Sequence, residues 1–420
     1  MNKKLNILLV SNTQLSTTDS NGKTLLSIFQ DDIFNVYHFY VKNSNFPSDK
    51  AISELRVSDI EVLKNKKNPN EFKKIENETD VKTIIEEKKV VKKTVFKQLL
   101  RELLWKFSKF QYSELKKWVN QYKFDAIFFM MGDAVFMCDI VDFLHSYLNI
   151  PLFVYITDVY INEITLKKPI EYIYKKNIER SQKKIIENTD KLYVISEKMK
   201  EFYQFTFTKS SFLLRNLQNY INSKDYQRDI YDNFIYAGNL YYGRDRVLCK
   251  FAEEIKEYNE ENGKSHKLII YSQSHVTSEI KNEMYINEYL DFKGGINSQQ
   301  LTKVLIENKY ALFVESFEKE NIEKVKYSFS TKITELAALG KCVVSIGPRN
   351  VSSIIELEKF GYLIDDLSFL KSKLEYLLKK DDFLEYEQKA KYISNNCYNN
   401  LSQTTMLYND FVDCLNSIDE

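Results

Sequence analysis

Ser330-Thr331-Lys332-Ile333-Thr334-Glu335-Leu336-Ala337-Ala338-Leu339-Gly340-Lys341-Cys342-Val343-Val344-Ser345 reads as a helix that closes on a glycine and runs straight into a buried strand. Ser330 and Thr331 are good N-cap types, and Ile333, Leu336, Ala337 and Leu339 or Gly340 recur at helical spacing to make an inward face. Gly340 supplies the left-handed end, because without a Cβ it enters positive φ at no steric cost. Lys341 then leads into a short apolar β run. The polar residues carry a second message. Lys332 and Glu335 stand three apart, on one face of the first turn, where backbone N–H groups and the positive end of the dipole point outward. A hydroxyl pair and a lysine at a helix start favour a phosphate. A glutamate one turn deeper accepts the two hydroxyls of a ribose. A capped helix with a surface ion pair accounts for the same residues, and both readings stand at this point.

Working outward, the elements alternate. Leu5–Ser11 is a buried strand, followed by a polar loop, and Gly22-Lys23-Thr24 opens a helix over Leu25–Phe29. Strands are expected at Val36–Val41, Phe124–Met131, Leu152–Thr157, Lys191–Ser196 and Phe212–Arg215. The pattern restarts with strands at Asn233–Ala237, Lys267–Tyr271, Leu290–Lys293, Tyr310–Val314, Val343–Ile346 and Gly361–Ile364. Alternating strands and helices predict the α/β class with doubly wound parallel sheets. A join near Leu217–Asp232 divides the chain into two Rossmann-like halves, 1–216 and 217–400, with a C-terminal helix at 401–420 that packs back on the first half. Residues 63–93 are rich in lysine and glutamate and predict a solvated insertion. Most of the ten glycines stand at strand ends. Each alone reads as a turn residue, but the carboxyl ends of strands are where open α/β sheets bind ligands.

At 420 residues the chain exceeds one ordinary core. With 44% hydrophobic residues and a formal net charge of +1 it is globular, and nothing in its balance points to nucleic acid. Five scattered cysteines without a Cys-x-x-Cys pair predict reduced thiols in a cytoplasmic protein. Four histidines without metal-ligand spacing predict no metal site.

With these residues in view, the stretch 330–345 resembles the nucleotide-sugar-binding helix of GT-B glycosyltransferases, in particular the large retaining family that builds bacterial polysaccharides. Cys342 stands where that family has proline. The resemblance covers nearly the whole chain. Lys184-Ile185-Ile186-Glu187-Asn188-Thr189-Asp190-Lys191-Leu192-Tyr193-Val194-Ile195-Ser196 and Leu213-Leu214-Arg215-Asn216 are similar to the end of its first domain, and Tyr236-Ala237-Gly238-Asn239-Leu240 through Arg244 to its glycine strand end. Two positions depart from the pattern. Tyr327 replaces a glutamate eight positions before Glu335, and Asn239 replaces the first of two cations.

The resemblance implies two Rossmann-like domains facing across a cleft. It implies transfer of a sugar from a nucleoside diphosphate, UDP for preference, to a glycan or lipid-linked acceptor, with retention, in cell-surface polysaccharide synthesis. Arg244 and Lys332, with the helix start at Ser330 and Thr331, are then expected to meet the departing diphosphate, so neither metal nor cofactor is called for. Glu335 takes the ribose, Gly238 and Gly22 allow close approach, and Glu315, at a strand end, lies over the sugar in place of the missing glutamate. Asp158 reads equally as an acceptor-orienting carboxylate or an N-cap, and Asp133 is a weaker version of the same idea. A non-catalytic GT-B partner subunit is the alternative that Tyr327 and Asn239 favour.

Residues 94–119 predict one amphipathic helix. Phe96, Leu99, Leu100, Leu103, Phe107 and Phe110 follow helical spacing, and Lys92, Lys93, Lys97, Arg101, Lys106, Lys109, Lys116 and Lys117 flank them, with Trp105 and Trp118. The leucines are expected to cover the first sheet, while the cationic flank suits weak contact with an anionic membrane at the inner face of the plasma membrane.

Overall fold

The computed structural model describes residues 3–17, 20–42, 48–64, 70–73, 95–108, 112–161, 169–218, 221, 231–380 and 382–419. The chain forms two compact units, Met1–Asn216 together with Gln403–Glu420, and Leu217–Ser402.

The strands of the first unit are β1 (Leu5–Ser11), β2 (Phe34–Tyr40), β3 (Ala51–Arg56), β4 (Asn70–Lys73), β5 (Ala126–Met131), β6 (Leu152–Ile156), β7 (Lys191–Val194) and β8 (Phe212–Leu213). They lie in the order β4-β3-β2-β1-β5-β6-β7-β8, and all neighbours are parallel except β3 and β4. The near-continuous apolar runs of β1, β5 and β6 suit strands buried on both faces. The helix Asn400–Asp419 contributes Phe411 to this core, its ring 4.3 Å from that of Phe153 and 5.8 Å from that of Phe34. Asp410 on the same helix accepts from Lys191 Nζ and, at 2.5 Å, from the Tyr193 hydroxyl.

Two strands, β3 and β4, were not legible in the sequence. β3 reads Ala-Ile-Ser-Glu-Leu-Arg, yet Ser53, Glu54 and Arg56 are buried. Each has a partner that makes burial tolerable. Trp118 Nε1 donates to Ser53 Oγ at 3.0 Å, Tyr40 and Gln14 donate to Glu54 at 3.3 Å, and Arg56 pairs with Glu61 at 3.2 Å. His38 joins the same network, with Nε2 2.9 Å from Ser11 Oγ. β4 falls within the charged stretch expected at 63–93, of which 65–69 and 74–93 lie outside the described residues. The single helix expected over 94–119 is two, Val95–Phe107 and Ser113–Val119. Thr94, Lys92, Lys93, Lys109 and Phe110 lie outside the described residues.

The second unit holds β9 (Tyr231–Ala237), β10 (Leu268–Tyr271), β11 (Leu290–Gly294), β12 (Asn308–Val314), β13 (Cys342–Ile346) and β14 (Tyr362–Ile364). Their order is β11-β10-β9-β12-β13-β14, all parallel. Successive strands run outward from β9 to one edge, and the chain then returns to place β12 on the other side of β9. The reversal opens a crevice at the carboxyl ends of β9 and β12, the switch point at which such sheets bind ligands. The stretch 330–345 adjoins this point. Its helix spans Lys332–Ala338 and buries Ile333, Thr334, Leu336, Ala337 and Ala338. Gly340 has φ +59°, and the N–H groups of Gly340 and Lys341 bond the carbonyls of Ala337 and Leu336, closing the helix as the glycine predicts.

Candidate active site

A solvent-open recess of about 650 Å³ lies at this switch point, wholly within the second unit. Its apolar wall comes from Ile235, Ala237, Leu301, Leu305 and Leu336. Its polar side chains are Tyr236, Asn239, Arg244, Glu315, Ser330, Lys332 and Glu335, with Gly238 at the end of β9. Sequence reasoning thus names most of the polar lining, and the structure brings those residues together. The helix Ser298–Glu307, which supplies Leu301 and Leu305, was missed, although Asn297 caps it by accepting from Gln300 N–H at 2.8 Å.

Arg244 and Glu315 are a pair. Arg244 Nε donates to Glu315 Oε2 at 3.0 Å and Nη2 to Oε1 at 2.8 Å, while Nη1 donates to Asn239 Oδ1 at 2.6 Å. The side chains are 13% and 3% exposed. Burial pushes the Glu315 carboxyl up, and the Arg244 guanidinium and then the Lys332 ammonium oppose it. The two-point fork is the geometry of an ionised carboxylate. Glu315 was expected to face a sugar. It lines the recess and also holds the guanidinium, because a carboxylate this deep needs a charged partner.

Ser330 lines the recess and Thr331 is not among the lining residues. Neither hydroxyl caps the helix. Thr331 itself has helical dihedrals, the Ser330 carbonyl accepts from Ile333 N–H at 3.0 Å, and the Thr331 carbonyl accepts from Thr334 Oγ1 at 3.0 Å. Lys332 and Glu335, three apart, both face the recess. Tyr327 is not among the lining residues, and its ring lies 5.2 Å from Lys326 Nζ.

Gly22 and Asp158 belong to the first unit. The Gly22 helix begins earlier than expected, at Ser20. A Cβ on Gly22 would sit 2.7 Å from the Gln14 carbonyl oxygen and 2.9 Å from Ser16 Cβ, so the glycine lets the helix touch its own preceding loop. That internal approach accounts for the residue without a ligand. Asp158 follows β6, and its carboxylate accepts from Val159 N–H at 2.9 Å. Burial, and then the Asp158 and Asp133 carboxylates, push the Tyr160 hydroxyl up. Asp133 accepts from Gln98 Nε2 at 2.9 Å. Near Asp133 stands Glu102, a residue that sequence reasoning passed over. It accepts from the N–H groups of Val135 and Phe136 at 3.0 and 2.9 Å, serving a helix whose own cap residue, Ala134, has no side chain to do so. Burial raises Glu102 to about 7, against those two N–H bonds.

The protein is similar to several solved structures. Sucrose-phosphate synthase (tll1590) from Thermosynechococcus elongatus superposes with a TM-score of 0.63 at 11% identity, over 98% of this chain and 100% of that one. Trehalose-6-phosphate synthase from E. coli, solved with UDP-2-fluoro glucose, gives 0.61 at 10% identity over 97% and 98%. HepE from Anabaena, solved with UDP and glucose, gives 0.58 at 9% identity over 97% and 100%. No protein-family model and no curated protein matches the chain. The likenesses show the GT-B fold, in agreement with the two parallel sheets.

Proposed function

We propose that this chain is a retaining glycosyltransferase, moving a sugar from a UDP-linked donor to a glycan or lipid-linked acceptor in cell-surface polysaccharide synthesis. The observation that carries the reading is the convergence of Arg244, Lys332, Glu335 and Ser330 on one recess at the switch point of the second sheet. Structural neighbours solved with UDP and a sugar support it. So does the chemistry. As the bond from the anomeric carbon to the diphosphate breaks, its electron pair leaves with the phosphate oxygen, and pre-aimed cations meet the growing charge. The acceptor oxygen forms the new bond and loses its proton, a step for which Asp158 is the candidate in the first unit. Donor and acceptor are substrates, and the scheme calls for no cofactor.

The fork between Arg244 and Glu315 refines this scheme. Glu315 occupies the Nε and Nη2 edge and acts as a positioning residue. The Nη1 edge carries only the neutral amide oxygen of exposed Asn239. A phosphate oxygen displaces a neutral acceptor far more readily than a buried carboxylate. Tyr327 and Asn239, which depart from the family pattern, favour the second reading, a non-catalytic GT-B partner subunit that keeps the fold but not the chemistry. We place the protein in the cytoplasm, where its five cysteines, none in a disulfide, stay reduced.

Calorimetric titration with UDP tests the donor site. Losing a charged acceptor of two ribose hydroxyls costs about 1.5–3 kcal/mol. Glu335→Ala is therefore expected to bind UDP roughly tenfold to hundredfold more weakly, with an unchanged melting temperature. Equal affinity of variant and wild type removes Glu335 from the site.

A further inference from the structure

The loop that carries Ser330 into the recess is held from another element of the second unit. It joins the helix Lys319–Val325 to the helix Lys332–Ala338. At its start Ser328 N–H donates to the Val325 carbonyl at 2.9 Å, and at its end the Ser330 carbonyl accepts from Ile333 N–H at 3.0 Å. The backbone between these bonds turns on the side chain of Ser353. Its Oγ accepts from Ser330 N–H at 3.1 Å and donates to the Ser328 carbonyl at 3.0 Å. One hydroxyl thus uses both its lone pair and its proton, on either side of the buried Phe329.

Ser353 stands on a packed support. Its helix, Ser352–Glu358, follows β13 and buries Ile354 and Leu357 completely. A Cβ on Gly347 would lie 2.8 Å from Ile354 Cδ1 and 3.1 Å from Glu315 Cβ, so the glycine brings this helix close to the base of the carboxylate that holds Arg244. Ser353 is 2% exposed. The neighbouring Ser352 holds the start of the loop, its N–H and Oγ both donating to the Lys326 carbonyl, at 3.0 and 2.9 Å. Losing that hydroxyl leaves the N–H bond in place. Losing the Ser353 hydroxyl removes both of its bonds to the loop, and a buried N–H and carbonyl must then move to find new partners.

We propose that Ser353 is a positioning residue of the donor recess. It is not among the lining residues, and it acts through Ser330 and Lys332, which are. Ser330 stands two residues before Lys332, so a shift of its backbone carries to the ammonium that meets the diphosphate. A misplacement of about 1 Å is enough to cost a large share of such an interaction. The inference rests on the reading of the recess as a UDP-donor site.

Calorimetric titration of the full chain with UDP, well below the melting temperature, tests it. Ser353→Ala is expected to bind UDP roughly tenfold more weakly. Ser353→Thr, which keeps the hydroxyl, is expected to recover most of that loss. Ser352→Ala, which keeps one bond to the same carbonyl, is expected to bind UDP like wild type, although it also loses a buried hydroxyl. In a Lys332→Ala background the effect of Ser353→Ala is expected to shrink, because the side chain it places is gone. A residue that serves stability alone would lower the melting temperature and move none of these affinities. Equal UDP affinity of Ser353→Ala and wild type overturns the proposal and leaves the donor site standing. So does a loss in Ser352→Ala as large as that in Ser353→Ala, or an effect of Ser353→Ala undiminished by Lys332→Ala. Wild type that binds no UDP overturns the donor reading itself, and this inference with it.

Discussion

Arg244→Ala is expected to cost the second unit about 3–5 kcal/mol and to abolish sugar transfer. The stability loss follows from what is left behind. Glu315, 3% exposed, loses the guanidinium that neutralises it, and an uncompensated buried charge is the costly outcome of breaking such a pair. At this domain size each kcal/mol moves the melting temperature by about 2–4 °C, so a fall of roughly 10 °C should be read by calorimetry. Arg244→Met/Glu315→Met separates the two roles. Replacing both ions by apolar groups of similar volume is often neutral in stability, so the double variant should melt near wild type and still fail to turn over. Transfer activity returning with the melting temperature would make Arg244 a structural residue only.

Lys332→Ala is expected to act the other way, on rate and not on stability. Lys332 lies on the recess wall at the start of its helix and its charge is felt at Glu315. Removing one pre-aimed donor costs about 2.7 kcal/mol or more in the transition state, which is roughly a hundredfold in kcat, with a melting temperature within about 1 °C of wild type. Because Arg244 and Lys332 would share one diphosphate, their effects should not add independently in a double-mutant cycle at saturating donor. A raised KM with unchanged kcat would instead mean that Lys332 grips donor and transition state equally.

The pattern of residues carried most of the strands and the polar lining of the recess further than it carried charge pairing. Leu5–Ser11, Tyr310–Val314 and Val343–Ile346 are apolar enough to read as buried strands, and Gly340 marks a helix end by its backbone alone. β3 escaped because Ser53, Glu54 and Arg56 are buried by partners on other elements, Trp118, Tyr40 and Glu61, that the alternation of β3 itself does not report. The same blindness hid the fork between Arg244 and Glu315, 71 residues apart, and the bond from Glu102 to the helix start at Val135. Periodicity reports which face is apolar. It does not report which way a helix with anchors on both faces turns, and for Val95–Phe107 Trp105 decided that against the leucines.

The most direct measurement of the account is release of UDP from a panel of UDP-sugars by the purified full chain, with a glycan or lipid-linked acceptor present. Release from at least one donor, lost in Lys332→Ala and in Arg244→Met/Glu315→Met, is the expected result. Release from none, with UDP still bound in calorimetry, contradicts the catalytic account and leaves a GT-B partner subunit in its place.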